Sequence, residues 1–387
     1  MEAWIDPAFT HGLVAGTDFS MVCSNAPNQG KLTMHEQFAG TMPVQEKHRF
    51  DVERLTQYML GHVDGFSPPV EVEQFRGGQS NPTFLLTTPT KRYVLRRKPP
   101  GKLLPSAHAV DREFRIISAL RQAGIPVARP FVLCEDEEVI GTAFYLMDYV
   151  AGRVLWDPSL PGMSREERAA IYDEMNRVIA ALHGVDYVKA GLADYGKPGS
   201  YLQRQIVRWT KQYRASETQK IEAMERLIQW LPEHIPQQDE TSIVHGDYRL
   251  DNVIFHSSEP RILAVLDWEL STLGHPLADF SYHCMSWRLA PGEFRGMAGL
   301  DLPALGIPSE EEYVAAYCRR TGRAGIQHWD YYMAYNMFRL AGILQGIMGR
   351  VVDGTAANPN ALESGKRARP MAEAGWRQVE RILAKTS

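Results

Sequence analysis

The chain has 387 residues, 44% hydrophobic and 23% charged, with a formal net charge of −4. That length exceeds one ordinary domain and suits two lobes, while the small negative charge gives no strong pull toward nucleic acid or an anionic membrane, and no apolar run approaches a membrane span. Cys23, Cys134, Cys284 and Cys318 are scattered without a C-x-x-C, which argues against a zinc site or a disulfide framework and for reduced thiols.

Residues 1–47 hold turn-forming Gly, Asn, Pro and Thr, and their first basic residue is Lys31. They lack the basic start and apolar core of a signal peptide and the arginines of a transit peptide. They are read as an N-terminal extension, partly disordered and without chemistry of its own. The final Ala-Lys-Thr-Ser is not an S-K-L address, and a cytoplasmic location is expected.

Residues 48–148 read as a smaller lobe. Phe50, Leu55, Met59 and Leu60 give Arg49–His62 a helical spacing, and Val70–Phe75 alternates as a strand. Gly77, Gly78, Gln79, Ser80 and Asn81 follow, before a second strand over Thr83–Thr87. Glycines at such a hairpin tip let backbone N–H groups approach phosphates closely, so these five residues are candidate nucleotide ligands. Tyr93–Lys98 resembles the kinase strand that carries V-A-I-K. Period-two alternation puts Val94, Arg96 and Lys98 on one face. Val94 would wall an adenine pocket and Arg96 would pair with phosphate, with Lys98 the alternative on the same face. A helix over Ala107–Ala123 carries Glu113, the candidate ion-pair partner of Arg96. Strands follow at Phe131–Cys134 and Ala143–Met147. Asp148–Gly152 reads as a hinge, where backbone groups from Met147 to Tyr149 could bond an adenine edge.

Residues 149–387 read as a mainly helical lobe. Arg165–His183 has a strong apolar face, and Glu311–Arg320, Trp329–Val352 and Leu362–Leu383 are further helices. Arg204, Arg208, Lys211 and Arg214 recur at intervals of four, three and three. This basic helix face is either a solvated surface or a dock for an anionic substrate. Arg339 lies in an otherwise apolar helix and must be paired, with substrate or with a core carboxylate.

The most informative stretch is His245-Gly246-Asp247-Tyr248-Arg249-Leu250-Asp251-Asn252, followed by the apolar run Ile262–Leu266 and Asp267. The interval from Asp247 to Asn252 is that of the kinase loop H-R-D-x-x-x-x-N, with Gly246 replacing Arg. In phosphoryl transfer from ATP, Asp247 would accept the proton of the attacking hydroxyl, while Asn252 and Asp267 would hold Mg²⁺. The triplet Asp267-Trp268-Glu269 stands where a protein kinase has D-F-G, and Glu269 is a further substrate-side candidate. Asp279 is expected to brace the loop, and His245 to be structural.

The string I-V-H-G-D-Y-R-L-D-N, with L-D-W-E and G-H-P-L-A-D after it, resembles the aminoglycoside phosphotransferase-like family of small-molecule kinases, which includes choline kinase-like enzymes. F-R-G-G-Q-S-N-P-T-F-L-L, Y-V-L-R-R-K-P-P-G and Y-M-A-Y-N-M-F-R-L-A-G-I-L-Q-G-I resemble the branch found fused to acyl-CoA dehydrogenases. The resemblance covers residues 48–385. It implies an α+β, bilobal protein-kinase-like fold, with an antiparallel sheet lobe and a helical lobe, and ATP and Mg²⁺ as cofactors. It further implies an acyl-CoA substrate, a 4-hydroxyacyl-CoA in the leading reading, and functional coupling to an acyl-CoA dehydrogenase. Choline-like alcohols, sugars and aminoglycosides are the rival substrates. A catalytically inactive nucleotide-binding module is the rival function.

Overall fold

The computed structural model describes residues 40–76, 81–99, 108–356 and 360–386. The first lobe is a six-stranded antiparallel sheet in the order β1-β2-β3-β4-β6-β5. Its strands are β1 (Thr41–Met42), β2 (Glu71–Phe75), β3 (Thr83–Thr87), β4 (Arg92–Arg97), β5 (Pro130–Cys134) and β6 (Phe144–Asp148). Helix α1 (Val52–His62) covers one face, where Leu55 and Met59 pack with Phe84, Tyr93, Leu95, Phe144 and Leu146. The N-cap of α1 is Asp51, whose carboxylate accepts from the N–H groups of Glu53 and Arg54. Helix α2 (Val110–Gln122) packs on β5 and β6 and turns Glu113 inward.

Two placements differ from the sequence reading. Thr41–Met42, assigned to the extension, forms the edge strand against β2, and the His48 carbonyl accepts a 2.9 Å hydrogen bond from Arg97 Nη2. The helix expected over Leu362–Leu383 is two helices, Ala361–Lys366 and Ala368–Thr386. Pro370 explains the break. In one continuous helix its ring would collide with the Lys366 carbonyl, whereas the first turn of a new helix tolerates it.

The second lobe is mainly helical. Helix α4 (Arg165–His183), capped by the reciprocal Ser164–Glu167 pair, follows the short α3 (Glu137–Ile140) of the sheet lobe. Next come α5 (Tyr201–Ala215) and α6 (Glu222–Glu233). Two small antiparallel ladders follow, β7 (Ser242–Val244) with β10 (Thr272–Gly274), and β8 (Val253–Phe255) with β9 (Ile262–Val265). They position the site described below, with α7 (Pro276–Cys284) behind them. Beyond α8 (Leu302–Leu305) and α9 (Glu310–Thr321), α10 (Trp329–Val352) runs through the lobe's core, with most of its residues buried. No helix among the described residues is long and apolar enough to cross a membrane.

Candidate active site

The loop after β7 is held from its backbone. Asp279, in the first turn of α7, is 3% exposed and accepts from the N–H groups of His245 (2.7 Å) and Gly246 (2.8 Å). His183 Nε2 lies 3.2 Å from the same carboxylate, and the net effect of these partners, working against burial, is an Asp279 pKa below the ordinary carboxylate value. The ring of His245 is equally committed. Its Nδ1 accepts from the Asp247 N–H at 3.1 Å, so its Nε2 is the donor to the Leu266 carbonyl at 2.7 Å. This histidine ties the loop to the end of β9, a structural task. Gly246 has φ +84°, and a Cβ there would meet the Leu270 carbonyl oxygen at 2.9 Å. The arginine of the H-R-D pattern is excluded at this position by both backbone and space.

The loop therefore presents a fixed Asp247, 2% exposed. Tyr282 OH donates to its Oδ1 at 2.7 Å, and Asn252 Nδ2 donates to its Oδ2 at 2.9 Å and to its carbonyl at 2.9 Å. Arg249 Nε lies 3.0 Å from Oδ1. Arg249 also reaches Asp251 at 3.5 Å, and Arg295 pairs with Asp251 from a separate segment. The β8–β9 ladder then brings Asp267 to the same place, because the Leu266 N–H bonds the Asn252 carbonyl at 2.8 Å. Asp267 adopts the left-handed conformation (φ +62°), which Asp tolerates better than most residues.

Arg96 enters from β4 of the other lobe. Its Nε lies 2.7 Å from Glu113 Oε2, and its Nη2 lies 3.1 Å from Asp267 and 3.5 Å from Glu269. Glu113 further accepts from Asn81 Nδ2 (2.8 Å) and Tyr145 OH (3.0 Å). Burial raises the pKa of Glu113, and the Arg96 charge opposes that rise. Burial, and then the charge of Asp267, push Glu269 well above the carboxylate range.

Several candidates fall differently. Gly77, Gly78, Gln79 and Ser80 lie outside the described residues. Asn81, grouped with them as a phosphate ligand, is fully buried; its Nδ2 donates to Glu113 and its Oδ1 accepts from His108 Nδ1 instead. The reason is its place at the foot of β3, inside the lobe. Lys98, the alternative to Arg96, makes no ion pair among the described residues. Val94 is buried and pairs with Met147 across β4 and β6. Tyr149 stacks under the Arg92 guanidinium, 4.1 Å from its ring centroid. The basic helix face does not act as one surface. Arg204 binds the carbonyls of Lys197 and Gly199, and Arg214 pairs with Glu217 and Glu225. Lys211 is exposed. Arg208 lines a cavity of about 340 Å³ together with Glu269 and Arg339. Arg339 has no core carboxylate as partner among the described residues. It donates to the Gly246 carbonyl at 2.8 Å.

Tyr282, Asp251, Arg249 and Arg295 did not emerge as site residues from the sequence. Tyr282 was accessible, since it stands three residues after Asp279 and so shares its helix face. Arg295 was not, because its approach depends on the fold of the 289–299 segment.

The model described as the phosphotransferase enzyme family matches residues 71–335, more than half of the chain. Mouse acyl-CoA dehydrogenase family member 10 is 49% identical over 347 residues, covering 89% of this chain and 32% of that protein. Human acyl-CoA dehydrogenase family member 11 is 41% identical, covering 87% and 44% respectively. The chain thus spans less than half the length of these curated relatives. A crystal structure from Ralstonia eutropha JMP134, provisionally described as an aminoglycoside phosphotransferase, superposes with a TM-score of 0.81 at 63% identity. It covers 86% of this chain and 99% of that one. A spectinomycin phosphotransferase solved with ADP and spectinomycin shares the fold at TM-score 0.58 and 12% identity, covering 87% and 99%. The chain belongs to the phosphotransferase enzyme family.

Proposed function

We propose that this chain transfers the γ-phosphoryl group of ATP to a hydroxyl of a small molecule, and that the acceptor is a hydroxyacyl-CoA of the 4-hydroxyacyl type. The observation that carries the chemistry is the placement of Asp247. Its two oxygens are oriented by Tyr282 and Asn252, and Arg249 keeps positive charge beside it. A carboxylate fixed in this way can accept the proton of an attacking hydroxyl. The acceptor oxygen forms its bond to phosphorus as the bond to the β,γ-bridging oxygen breaks, ADP leaves, and the hydroxyl proton passes to Asp247.

The residues fit a hard divalent cation. Asn252 spends its Nδ2 on Asp247, and its Oδ1 accepts no hydrogen bond among the described residues, while the Leu266 N–H bond to the Asn252 carbonyl ties the partly exposed Asp267 to the same loop. Oxygen donors of this kind suit Mg²⁺, which would neutralise charge on the nucleotide phosphates. Arg96, anchored by Glu113, would turn toward those phosphates. The Val94 wall and the backbone from Met147 to Tyr149 would take the adenine.

The acyl-CoA assignment rests on relatives whose names join this domain to acyl-CoA dehydrogenases, and on guanidinium groups at the cavity, which repel polycationic antibiotics. Phosphorylation turns a poor leaving group into a good one, which suits later elimination in acyl catabolism, and functional coupling to an acyl-CoA dehydrogenase follows. The test is ADP formation with Mg²⁺ across hydroxyacyl-CoAs, free hydroxy acids, choline, sugars and aminoglycosides. Turnover with a hydroxyacyl-CoA supports the reading. Turnover restricted to another class replaces the acceptor, and no ADP with any of them removes the kinase.

A further inference from the structure

Arg339 is a charged side chain that the fold leaves without a direct ion pair among the described residues. It is 6% exposed and projects from α10, whose neighbouring residues are almost all buried. Its Nη2 donates to the Gly246 carbonyl, and its guanidinium lies 5.1 Å from the Tyr282 ring centroid and 5.8 Å from that of Trp209. Among the described residues no carboxylate comes within ion-pair distance of it. A buried guanidinium satisfied by one carbonyl and two aromatic faces has lost much of its hydration without a direct ion pair, and the Asp247 charge reaches it only from beyond that distance.

The same group lines the 340 Å³ cavity between α5, the start of α2 and the segment after Asp267. Arg208 stands exposed at the rim, and Tyr201, Gln205 and Trp209 line the wall. The acids that also line the cavity are engaged elsewhere: Glu113 and Glu269 both face Arg96. Arg112 is likewise engaged, through the carbonyls of Tyr195 and Ser271. Proximity to the reacting centre comes from Tyr282, which touches Arg339 with its ring and Asp247 with its hydroxyl.

We infer that Arg339 is the floor of an oxyanion subsite, with Arg208 at its rim, that selects acceptors carrying a carboxylate or phosphate. The inference rests on the proposed acceptor side of the kinase reading and deepens it. A guanidinium matches either oxyanion in a bidentate geometry, and the aromatic walls exclude the water that would screen the pair. The oxyanion could be a phosphate of CoA or a carboxylate on the acyl chain.

The test is calorimetric binding without nucleotide, so that it does not depend on turnover. The ligands are a 4-hydroxyacyl-CoA, the free 4-hydroxy acid, and the neutral N-acetylcysteamine thioester of the same acid. The wild-type chain is expected to bind at least one charged ligand about 10- to 100-fold more tightly than the neutral thioester, the range of a charge-assisted hydrogen bond. Arg339→Gln should bring that ligand down to the neutral level, and Arg339→Lys should retain part of the preference. Arg208→Gln, on an exposed residue, should reduce the preference less and guards against a misfolded Arg339 variant. A preference for the CoA ester identifies phosphate as the oxyanion, and a preference for the free acid identifies carboxylate. If Arg339→Gln weakens all three ligands equally, or none, the subsite is overturned and Arg339 only supports the Gly246 carbonyl. Charge-selective binding without ADP formation would instead remove the kinase reading and leave the subsite standing.

Discussion

Replacing Arg96 by Met tests the electrostatics of the site through stability. The substitution keeps an apolar stem and removes the cation that, among the described residues, Glu113, Asp267 and Glu269 share. Asp267 and Glu269 retain some access to water, with 25% and 16% of their side chains exposed, whereas Glu113 retains 3%. Breaking a buried ion pair typically costs about 3–5 kcal/mol. Here a limit exists, because Glu113 can take up a proton instead of staying charged. From its ordinary pKa of 4.5, protonation at pH 7 costs about 3.4 kcal/mol, at about 1.36 kcal/mol per unit. The limit falls to about 1.4 kcal/mol at pH 5.5 by the same arithmetic. The sign follows from proton linkage. A carboxylate whose folded pKa is raised binds more protons folded than unfolded, so its contribution to stability falls as pH rises. Arg96→Met should therefore lose about 3 kcal/mol at pH 7 and recover more than half of it by pH 5.5. Denaturant unfolding at both values measures this, and Arg96→Met with Glu113→Gln should regain part of the loss at pH 7. Lys98→Met, which removes no ion pair, should stay within about 0.5 kcal/mol of the wild type. A deficit that is absent at pH 7, or that grows on acidification, would refute the reasoning.

Asp247→Asn should lower kcat by about 10²- to 10⁴-fold with nucleotide affinity retained; a rate near the wild type in ADP release would sink its role as base. Asn252→Ala and Asp267→Ala should each raise the Mg²⁺ concentration needed for half-maximal rate, and titrations that overlay the wild type would place the cation elsewhere. Gly246→Ala should combine left-handed strain with the collision at the Leu270 carbonyl and lose activity, while a fully active variant would show that the loop shifts freely. His283 is buried and donates or accepts at 2.8 Å with Tyr313 OH, and burial holds its pKa down to about 4. Its folded form resists protonation, so it removes stability as pH falls from 6.5 toward 4, at up to about 1.4 kcal/mol per unit. His283→Gln should unfold with a shallower acid slope, as followed by denaturant midpoints between pH 7 and 5.

The parts of this molecule that could be read from sequence are those where chemistry and periodicity are local. Helices Arg165–His183 and Trp329–Val352 have the same ends in structure as in pattern, because apolar spacing is a property of the segment itself, reinforced for Arg165–His183 by its capping pair. Strands β2 to β6 of the sheet lobe were legible for the same reason, while the two-residue β1 was not. Less legible were the residues that reach a site from a distance. Asn81 looked like part of a glycine-rich turn, and only the three-dimensional packing of Glu113 and His108 around it shows where its amide goes. Four evenly spaced cations suggested one basic surface, but Arg204 and Arg214 find partners outside the helix. Helical periodicity specifies a face and is silent about what the neighbouring loops bring to it.

The charge balance of the cleft joins these two levels. Glu113 belongs to the sheet lobe, Asp267 and Glu269 to the helical lobe, and Arg96 is the cation among the described residues that touches all three. One guanidinium faces three carboxyl groups, and burial pushes two of them, Glu113 and Glu269, toward their neutral forms, in surroundings where charges interact more strongly than in water. Nothing in the local sequence around Arg96 signals that imbalance, since its partners lie 17, 171 and 173 residues away. Under the proposed function, a divalent cation at Asp267 would compete with Arg96 Nη2 for that carboxylate, and the freed guanidinium would be available to an incoming polyphosphate. The pairing of Arg96 with Asp267 thus has an electrostatic reading under the proposed function: a divalent cation and a polyphosphate would be better-matched partners for the carboxylate and the guanidinium, respectively.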